Sequence, residues 1–108
     1  MVRNKSGRIG LSIDRERFIV EADGEQVILS PIEFRILDLL MSLDGAVASS
    51  AQIVHHARCE PSSESKVGAL AAQHIRRLRV KIGGFRITTV SRNGYQIHRR
   101  EHEANNAD

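Results

Sequence analysis

Residues 64–82 of this 108-residue chain read ESKVGALAAQHIRRLRVKI and carry two side-chain patterns at once. On a helical wheel at about 100° per residue, the aliphatic side chains fall in one narrow sector. They are Val67, Ala71, Ile75, Leu78 and Ile82. Nearly opposite lie basic, polar and small side chains: Lys66, Ala69, Gln73, Arg76 and Val80, with Arg77 at the margin. The segment is therefore predicted to form a helix that packs one face inward and exposes a slim basic face.

Basic residues are concentrated in the second half of the chain, although the net charge is only +3. Between Glu64 and Glu101 the sequence has no acidic residue. The same span holds nine basic ones: Lys66, Arg76, Arg77, Arg79, Lys81, Arg86, Arg92, Arg99 and Arg100. A helix face that is merely solvated usually mixes Glu with Lys or Arg, because such pairs stabilise the helix. This distribution favours a polyanionic partner.

The exposed face of the predicted helix suits the edges of base pairs. Ala69 and Ala72 are small enough to let a helix lie deep in a groove. Gln73 has the bidentate geometry that matches adenine, as arginine matches guanine. The sequence therefore predicts contact with the major groove of double-stranded DNA.

Two further helices are predicted upstream. Residues 30–33 (SPIE) combine a cap, a proline suited to the first helical position and a capping box, and an apolar stripe then continues until Gly45. A shorter helix begins after Ser49 or Ser50. Residues 62–64 (SSE) offer caps for the basic helix.

Strand patterns flank the helices. Residues 8–30 alternate between apolar and polar side chains, which predicts three short strands with a hairpin turn at Asp23-Gly24. Residues 85–97 predict a second hairpin with its loop at 91–94. The aromatic residues are assigned to the core: Phe18, Phe34, Phe85 and Tyr95.

Composition and motifs argue against several classes of protein. A single cysteine permits no internal disulfide, and neither a secretory signal nor a membrane-spanning apolar run is present, so a cytoplasmic location is expected. His55, His56, Cys59 and His74 lack the paired spacing of a structural zinc site. With no nucleophile motif or glycine-rich phosphate loop, we expect no enzyme activity, no metal and no cofactor.

Three stretches of the chain resemble one known family. They are LSPIEFRIL at 29–37, HIRRLRVKI at 74–82, and ITTV with NGY at 87–90 and 93–95. In this order and spacing they resemble the response-regulator effector domains of the OmpR/PhoB type over residues 8–100. The resemblance implies an α+β winged helix-turn-helix: an N-terminal antiparallel sheet, three helices and a C-terminal β-hairpin wing. We therefore expect one domain at 8–100, a flexible N-terminus at 1–7 and a disordered polar tail at 101–108.

The family resemblance also implies a function and a set of contact residues. The chain would be a bacterial transcriptional regulator, with the helix at about 64–82 in the major groove and the wing at about 85–99 at the adjacent minor groove. Arg77 would face bases or backbone, and Thr89 would touch a phosphate at the wing. The predicted DNA-binding residues are Lys66, Ala69, Gln73, His74, Arg76, Arg77, Arg79, Thr89 and Arg92.

The chain departs from the family pattern at several positions. The family often has Arg and Asp where this helix has Ala69 and Ala72, and Gln73 occupies the apolar position nearest the bases, so an unusual target sequence is expected. In the wing, the arginine that usually follows the Thr-Val pair is replaced by Ser91, and Arg92 lies one residue further on.

Relatives usually carry an N-terminal receiver domain, whereas this chain begins almost directly at the first sheet. Either it is a stand-alone regulator, which Met1 favours, or it is a piece of a longer protein. The loop at 58–65 contacts RNA polymerase in some relatives, but here it lacks the aromatic residue often found there. We expect a monomer in isolation and head-to-tail pairing on DNA. The alternative is a protein-interaction module of the same fold that contacts RNA polymerase or another regulator.

Overall fold

The N-terminal part of the chain forms an antiparallel sheet of three strands, which lie side by side in the order in which they occur in the sequence. The computed structural model describes residues 10–91 and 94–98. The strands are β1 (Leu11–Asp14), β2 (Ile19–Ala22) and β3 (Glu25–Val27). Val20 lies opposite Ile13 on one side and Val27 on the other. Asp23 and Gly24 both have positive φ, 54° and 87°, so the predicted hairpin turn is confirmed.

Three helices follow, as predicted: α1 (Pro31–Leu43), α2 (Ser50–His56) and α3 (Val67–Ile82). The capping box at the start of α1 is present, because Ser30 and Glu33 each bond the other's backbone amide. α2 begins with an equivalent box between Ser49 and Gln52. Local side-chain chemistry therefore sets both helix starts.

The start of α3 differs from the prediction. Residues Glu64–Lys66 form a 3₁₀ turn, and the α-helix begins only at Val67. No side chain caps either segment; the Ser63 hydroxyl lies 3.0 Å from that of Ser65 instead. The serines at this entry thus bond to each other rather than to the free amides of the helix.

The C-terminal hairpin is confirmed and belongs to a second sheet. Its strands are β5 (Ile87–Val90) and β6 (Gly94–Ile97). A third strand of only two residues, β4 (Ala48–Ser49), pairs with β6 on its other side, so the order in the sheet is β4-β6-β5. β4 precedes α2 and was not predicted. Its approach requires glycine opposite Ser49, because a Cβ at Gly94 would lie 2.1 Å from the Ala48 carbonyl oxygen.

The core lies between the three helices and the inner faces of the two sheets. Its fully buried side chains come from α1, α2 and α3, and include Ile36, Leu37, Leu40, Ile53, Ile75 and Leu78. The N-terminal sheet contributes Leu11 and Val20, and the wing contributes Ile87, Tyr95 and Ile97. The inner face of α3 is thus fixed by this core.

The placement of two aromatic residues in the core is wrong. Phe34 and Tyr95 are buried, but Phe18 is 73% exposed and Phe85 is 55% exposed. Phe18 precedes β2 in a turn with φ 57°, outside the strand alternation, and packs edge-on against Phe34 at 5.1 Å between ring centroids. Phe85 lies in a 3₁₀ turn, Gly84–Arg86, rather than in the wing strand.

Several expectations concern parts of the chain beyond the described residues. The predictions for 1–7, 101–108 and Arg92 lie there, as does the end of the predicted wing at Arg99. Within 10–91 and 94–98, no helix combines the length and apolar character needed to cross a membrane.

Candidate nucleic-acid interface

The two predicted faces of α3 are present in the structure. Ala71, Ile75, Leu78 and Ile82 are buried against the core, and Val67 is half-buried. The outward face is exposed along its length and holds Ala69, Gln73, Arg76, Arg77 and Val80, preceded by Lys66 in the 3₁₀ turn. Because the inner face of α3 is packed in the core, the outward side chains are held by a fixed helix rather than by a loop.

The outward face of α3 has an uncharged centre and charged flanks. On a wheel at about 100° per residue, Gln73 and Val80 fall near the middle, while Arg76 and Arg77 fall on opposite sides of them. Val80 is 82% exposed, an unusual position for a valine on a helix that has an apolar face elsewhere. The outward position of Val80 was predicted from the sequence, but Val80 was not among the predicted contact residues.

Arg79 is directed to the wing. Its Nε and Nη2 atoms donate to the Ile87 carbonyl oxygen at 3.2 and 2.9 Å, and Nη2 also donates to Thr89 Oγ1 at 2.8 Å. Its guanidinium carbon lies 5.9 Å from the centroid of the Tyr95 ring. One side chain of α3 therefore holds both strands of the hairpin.

Lys81 was counted with the basic residues facing a polyanion, and the structure corrects this. Its Nζ lies 2.6 Å from Oε1 of Glu33, a carboxylate that is only 4% exposed at the start of α1. Burial raises the pKa of Glu33. Hydrogen bonds from Lys81 and from the Ser30 amide lower the pKa by more than burial raises it, so the pKa lies below its usual value. Lys81 thus anchors α3 to α1.

Arg86 is a second basic residue with a carboxylate partner, and unlike Lys81 it is buried. Its side chain is 1% exposed, and Nη2 lies 2.5 Å from Oδ1 of Asp23 in the β2–β3 turn. The guanidinium carbon lies 4.9 Å from the centroid of the Phe85 ring. The two partners are 63 positions apart in sequence, so no local pattern could have revealed the pair.

No metal centre is formed by the described residues. Within 10–91 and 94–98, no three His, Cys, Asp or Glu side chains come together as ligands. Burial raises the pKa of the Cys59 thiol, although Arg35 acts in the opposite direction.

The structure gathers most of the predicted contact residues on one side of α3 and the wing. Six are exposed: Lys66, Ala69, Gln73, Arg76, Arg77 and Thr89. His74 and Arg79 are half-buried on the flanks of α3, and Arg92 lies outside the described residues. The helix and β5 meet through the bond between Arg79 and Thr89.

An exposed basic helix that follows a short helix and precedes a β-hairpin defines the winged helix-turn-helix class of proteins. The family described as "Transcriptional regulatory protein, C terminal" matches residues 24–97, and this chain belongs to that family. This membership confirms the resemblance to the OmpR/PhoB-type effector domains and the predicted fold class.

Individual relatives agree with the family assignment. The transcriptional regulatory protein CutR of Streptomyces coelicolor is 36% identical over 92 residues, which cover 83% of this chain and 41% of CutR. The response regulator DrrB of Thermotoga maritima, an OmpR/PhoB homologue, superposes with a TM-score of 0.70 at 26% identity over 82% of this chain and 41% of DrrB. The C-terminal DNA-binding domain of RstA from Klebsiella pneumoniae gives 0.67 at 27% identity, covering 82% and 83% of the two chains. The chain thus spans under half the length of CutR and DrrB.

Proposed function

We propose that this protein binds double-stranded DNA in a sequence-dependent manner, as a cytoplasmic bacterial transcriptional regulator. In this proposal α3 lies in the major groove and the wing lies at the adjacent minor groove. The observation that carries it is the outward face of α3, which is exposed, free of acidic residues and basic on both flanks. Membership of a family of transcriptional regulatory proteins supports the same conclusion.

The dimensions of α3 suit the groove. An α-helix with its side chains is about 10–12 Å across, and the major groove of B-DNA is about 12 Å wide. In this arrangement Arg76 and Arg77 would contact the two sides of the groove. Near the centre, the small Ala69 would let the helix approach the bases, and the Gln73 amide could make a bidentate contact with a base edge. His74 and Lys66 would add contacts to phosphates, and Arg92 would add a DNA contact from the wing.

The first test is a selection of bound duplexes from a random pool, followed by titration of the selected duplex at several salt concentrations. Because neutralised phosphates release counterions, log affinity should fall linearly with log salt. An affinity that barely changes with salt, with no enriched sequence, would contradict the proposal and favour a protein-interaction module held by apolar contacts.

The second test replaces Arg77 with Ala. We expect the variant to lose discrimination between the selected duplex and a scrambled one by about 1 to 3 kcal/mol, because a bidentate contact to a base edge is removed. Arg17→Ala is the matched control, since Arg17 is an exposed arginine of the β1–β2 turn on the other sheet. Equal discrimination by R77A and R17A would exclude the assigned role of Arg77.

The selected sequence also tests how many copies bind. Two boxes one helical turn apart would indicate head-to-tail pairing of two monomers on DNA, whereas a single box would indicate binding as a monomer. The α2–α3 loop, with Arg58 and Glu60 exposed, is our candidate for contact with RNA polymerase. Cross-linking of the DNA-bound protein from position 58 to polymerase subunits tests that contact directly.

A further inference from the structure

Thr89 and Arg79 form a polar pair at the junction of α3 and the wing. Thr89 is exposed on β5, and its Oγ1 accepts a hydrogen bond of 2.8 Å from Nη2 of Arg79. The same Nη2 and the neighbouring Nε also donate to the Ile87 carbonyl oxygen. Two donor atoms of one guanidinium, Nε and Nη2, are thus committed to β5.

The bond from Arg79 fixes the direction of the Thr89 hydroxyl. A hydroxyl has one hydrogen to donate and lone pairs that accept. Because a lone pair of Oγ1 is engaged by a cationic donor, the hydrogen remains available, and the charge of the guanidinium polarises it toward an anionic acceptor. Thr89 is therefore prepared as a hydrogen-bond donor on the exposed side of β5.

Other contacts hold the opposite strand of the wing. β6 pairs with β4, and Nε2 of Gln96 donates to the Gly45 carbonyl oxygen at 2.6 Å. Tyr95, which faces Thr89 across the hairpin, is buried beside the Arg79 guanidinium. The wing is thus attached to the segment between α1 and β4 through β6, and to α3 through the bonds from Arg79 to β5.

We infer that Arg79 is a positioning residue that presents the Thr89 hydroxyl to a DNA phosphate. Arg79 acts through Thr89 rather than contacting the phosphate itself, and it sets the distance between the wing and α3. The inference rests on the proposed function, since it assigns a role within the same DNA-binding site. It differs from the expectation of the sequence analysis that Arg79 is itself a DNA-binding residue.

The experiment measures dissociation constants for the selected duplex with the parent, R79Q, R79K, T89V, T89S and the double variant R79Q/T89V. R79Q and T89V should each weaken binding roughly tenfold, as expected for a hydrogen bond to a charged group. The double variant should also lose roughly tenfold in affinity, because both changes remove the same contact from Arg79 through Thr89 to the phosphate. T89S should bind like the parent, because serine keeps the hydroxyl. R79K should bind more weakly than the parent, because a flexible ammonium lacks the fixed planar fork that places Nε and Nη2 against β5.

The salt dependence separates the two roles of Arg79. A direct phosphate contact by a cation contributes about 0.9 to the slope of log affinity against log salt. We expect R79Q to keep the parent's slope. A slope shallower by about 0.9, an R79K variant that binds like the parent, or a roughly hundredfold loss in the double variant would each overturn the inference.

A second measurement uses altered DNA, so that the test does not depend on the stability of R79Q. Neutral methylphosphonates replace the phosphates beside the wing one at a time. One position should cost the parent roughly tenfold and cost T89V nothing; if every position costs both proteins equally, Thr89 contacts no phosphate. Thr88→Val is the matched control, because the Thr88 hydroxyl is paired with His98 Nε2 at 2.7 Å, and it should bind like the parent.

The failure of this inference is distinguishable from failure of the proposed function. If the parent binds no duplex in a salt-dependent manner, the proposed function fails and the inference falls with it. If the parent binds a selected duplex but Arg79 and Thr89 act independently, only the inference is wrong.

Discussion

Glu33 connects the start of α1 to α3, the helix that carries the candidate interface. Its Oε1 accepts hydrogen bonds from the Ser30 amide at 2.9 Å and from Lys81 Nζ at 2.6 Å. The same carboxylate therefore caps α1 and holds the C-terminal part of α3. The position is recognisable in sequence as part of a capping box, but its second partner is not, because Lys81 is 48 residues away.

Replacing Glu33 with Gln should change the dependence of stability on pH. The pKa of Glu33 lies below its ordinary value of 4.5 in the folded protein, so its contribution to the free energy of unfolding is complete above pH 4.5 and is lost as the pH falls through the folded pKa. At neutral pH we expect E33Q to be less stable than the parent by about 1 to 3 kcal/mol. The difference should shrink in acid, as urea unfolding over a pH series would show.

Glu25→Gln is the control for this measurement. Glu25 is an exposed carboxylate of β3, and the same change there should leave the free energy of unfolding within about 0.5 kcal/mol of the parent. If the gap between E33Q and the parent were the same at every pH, the bond between Glu33 and Lys81 would not depend on charge.

At the scale of elements, the wing depends on a strand of only two residues. β4 pairs with β6 at Ala48 opposite Tyr95 and at Ser49 opposite Gly94, and this pairing connects the hairpin to the segment between α1 and α2. Its closest approach lies at Gly94, where only a hydrogen fits beside the Ala48 carbonyl oxygen.

Gly94→Ala should destabilise the protein. The added Cβ would meet the Ala48 oxygen at 2.1 Å, and backbone cannot move aside as a flexible side chain can. We expect a loss of about 1 to 3 kcal/mol or more in the free energy of unfolding. Gly68→Ala is the matched control in α3, where nothing lies within 4 Å of the added Cβ, and a helix gains about 0.5 to 1 kcal/mol from the same change. Thermal unfolding of the two variants should therefore give shifts of opposite sign.

The elements that local chemistry specifies could be predicted, and those that depend on distant contacts could not. The capping box of α1 and the two faces of α3 follow from side chains within one or two turns. β4 is too short to show an alternating pattern, and the serines before α3 looked like caps although they bond elsewhere. For the candidate site, the exposed face was predicted correctly, but the attachment of Arg79 to the wing depends on how β5 folds back along α3.

At the scale of the whole molecule, two ion pairs among residues 10–91 and 94–98 connect the acidic first half of the chain to the basic second half. Lys81 bonds Glu33, and the buried Arg86 bonds Asp23, so two of the basic residues are engaged in ion pairs within the fold. Within the described part of the chain, Lys66, Arg76 and Arg77 have no carboxylate partner. The charge available to a polyanion is therefore smaller than the sequence alone indicates.

This difference should appear in the salt dependence of DNA binding. Lys81→Met should leave the slope of log affinity against log salt unchanged, because Lys81 already has a partner. Arg76→Gln should make the slope shallower by about 0.9, the contribution of one neutralised phosphate. Titrations of the selected duplex over a salt series measure both slopes. Equal slopes for K81M and R76Q would contradict the conclusion that Arg76, but not Lys81, is available to neutralise a phosphate.

Tyr95 is the single tyrosine of a chain that has no tryptophan, and it is buried in β6 beside the Arg79 guanidinium. The intrinsic fluorescence of the protein therefore originates almost entirely from the wing. A spectrometer can follow that hairpin in the unlabelled protein, and any change in emission intensity or lifetime on mixing with a duplex will come from this one location in the fold.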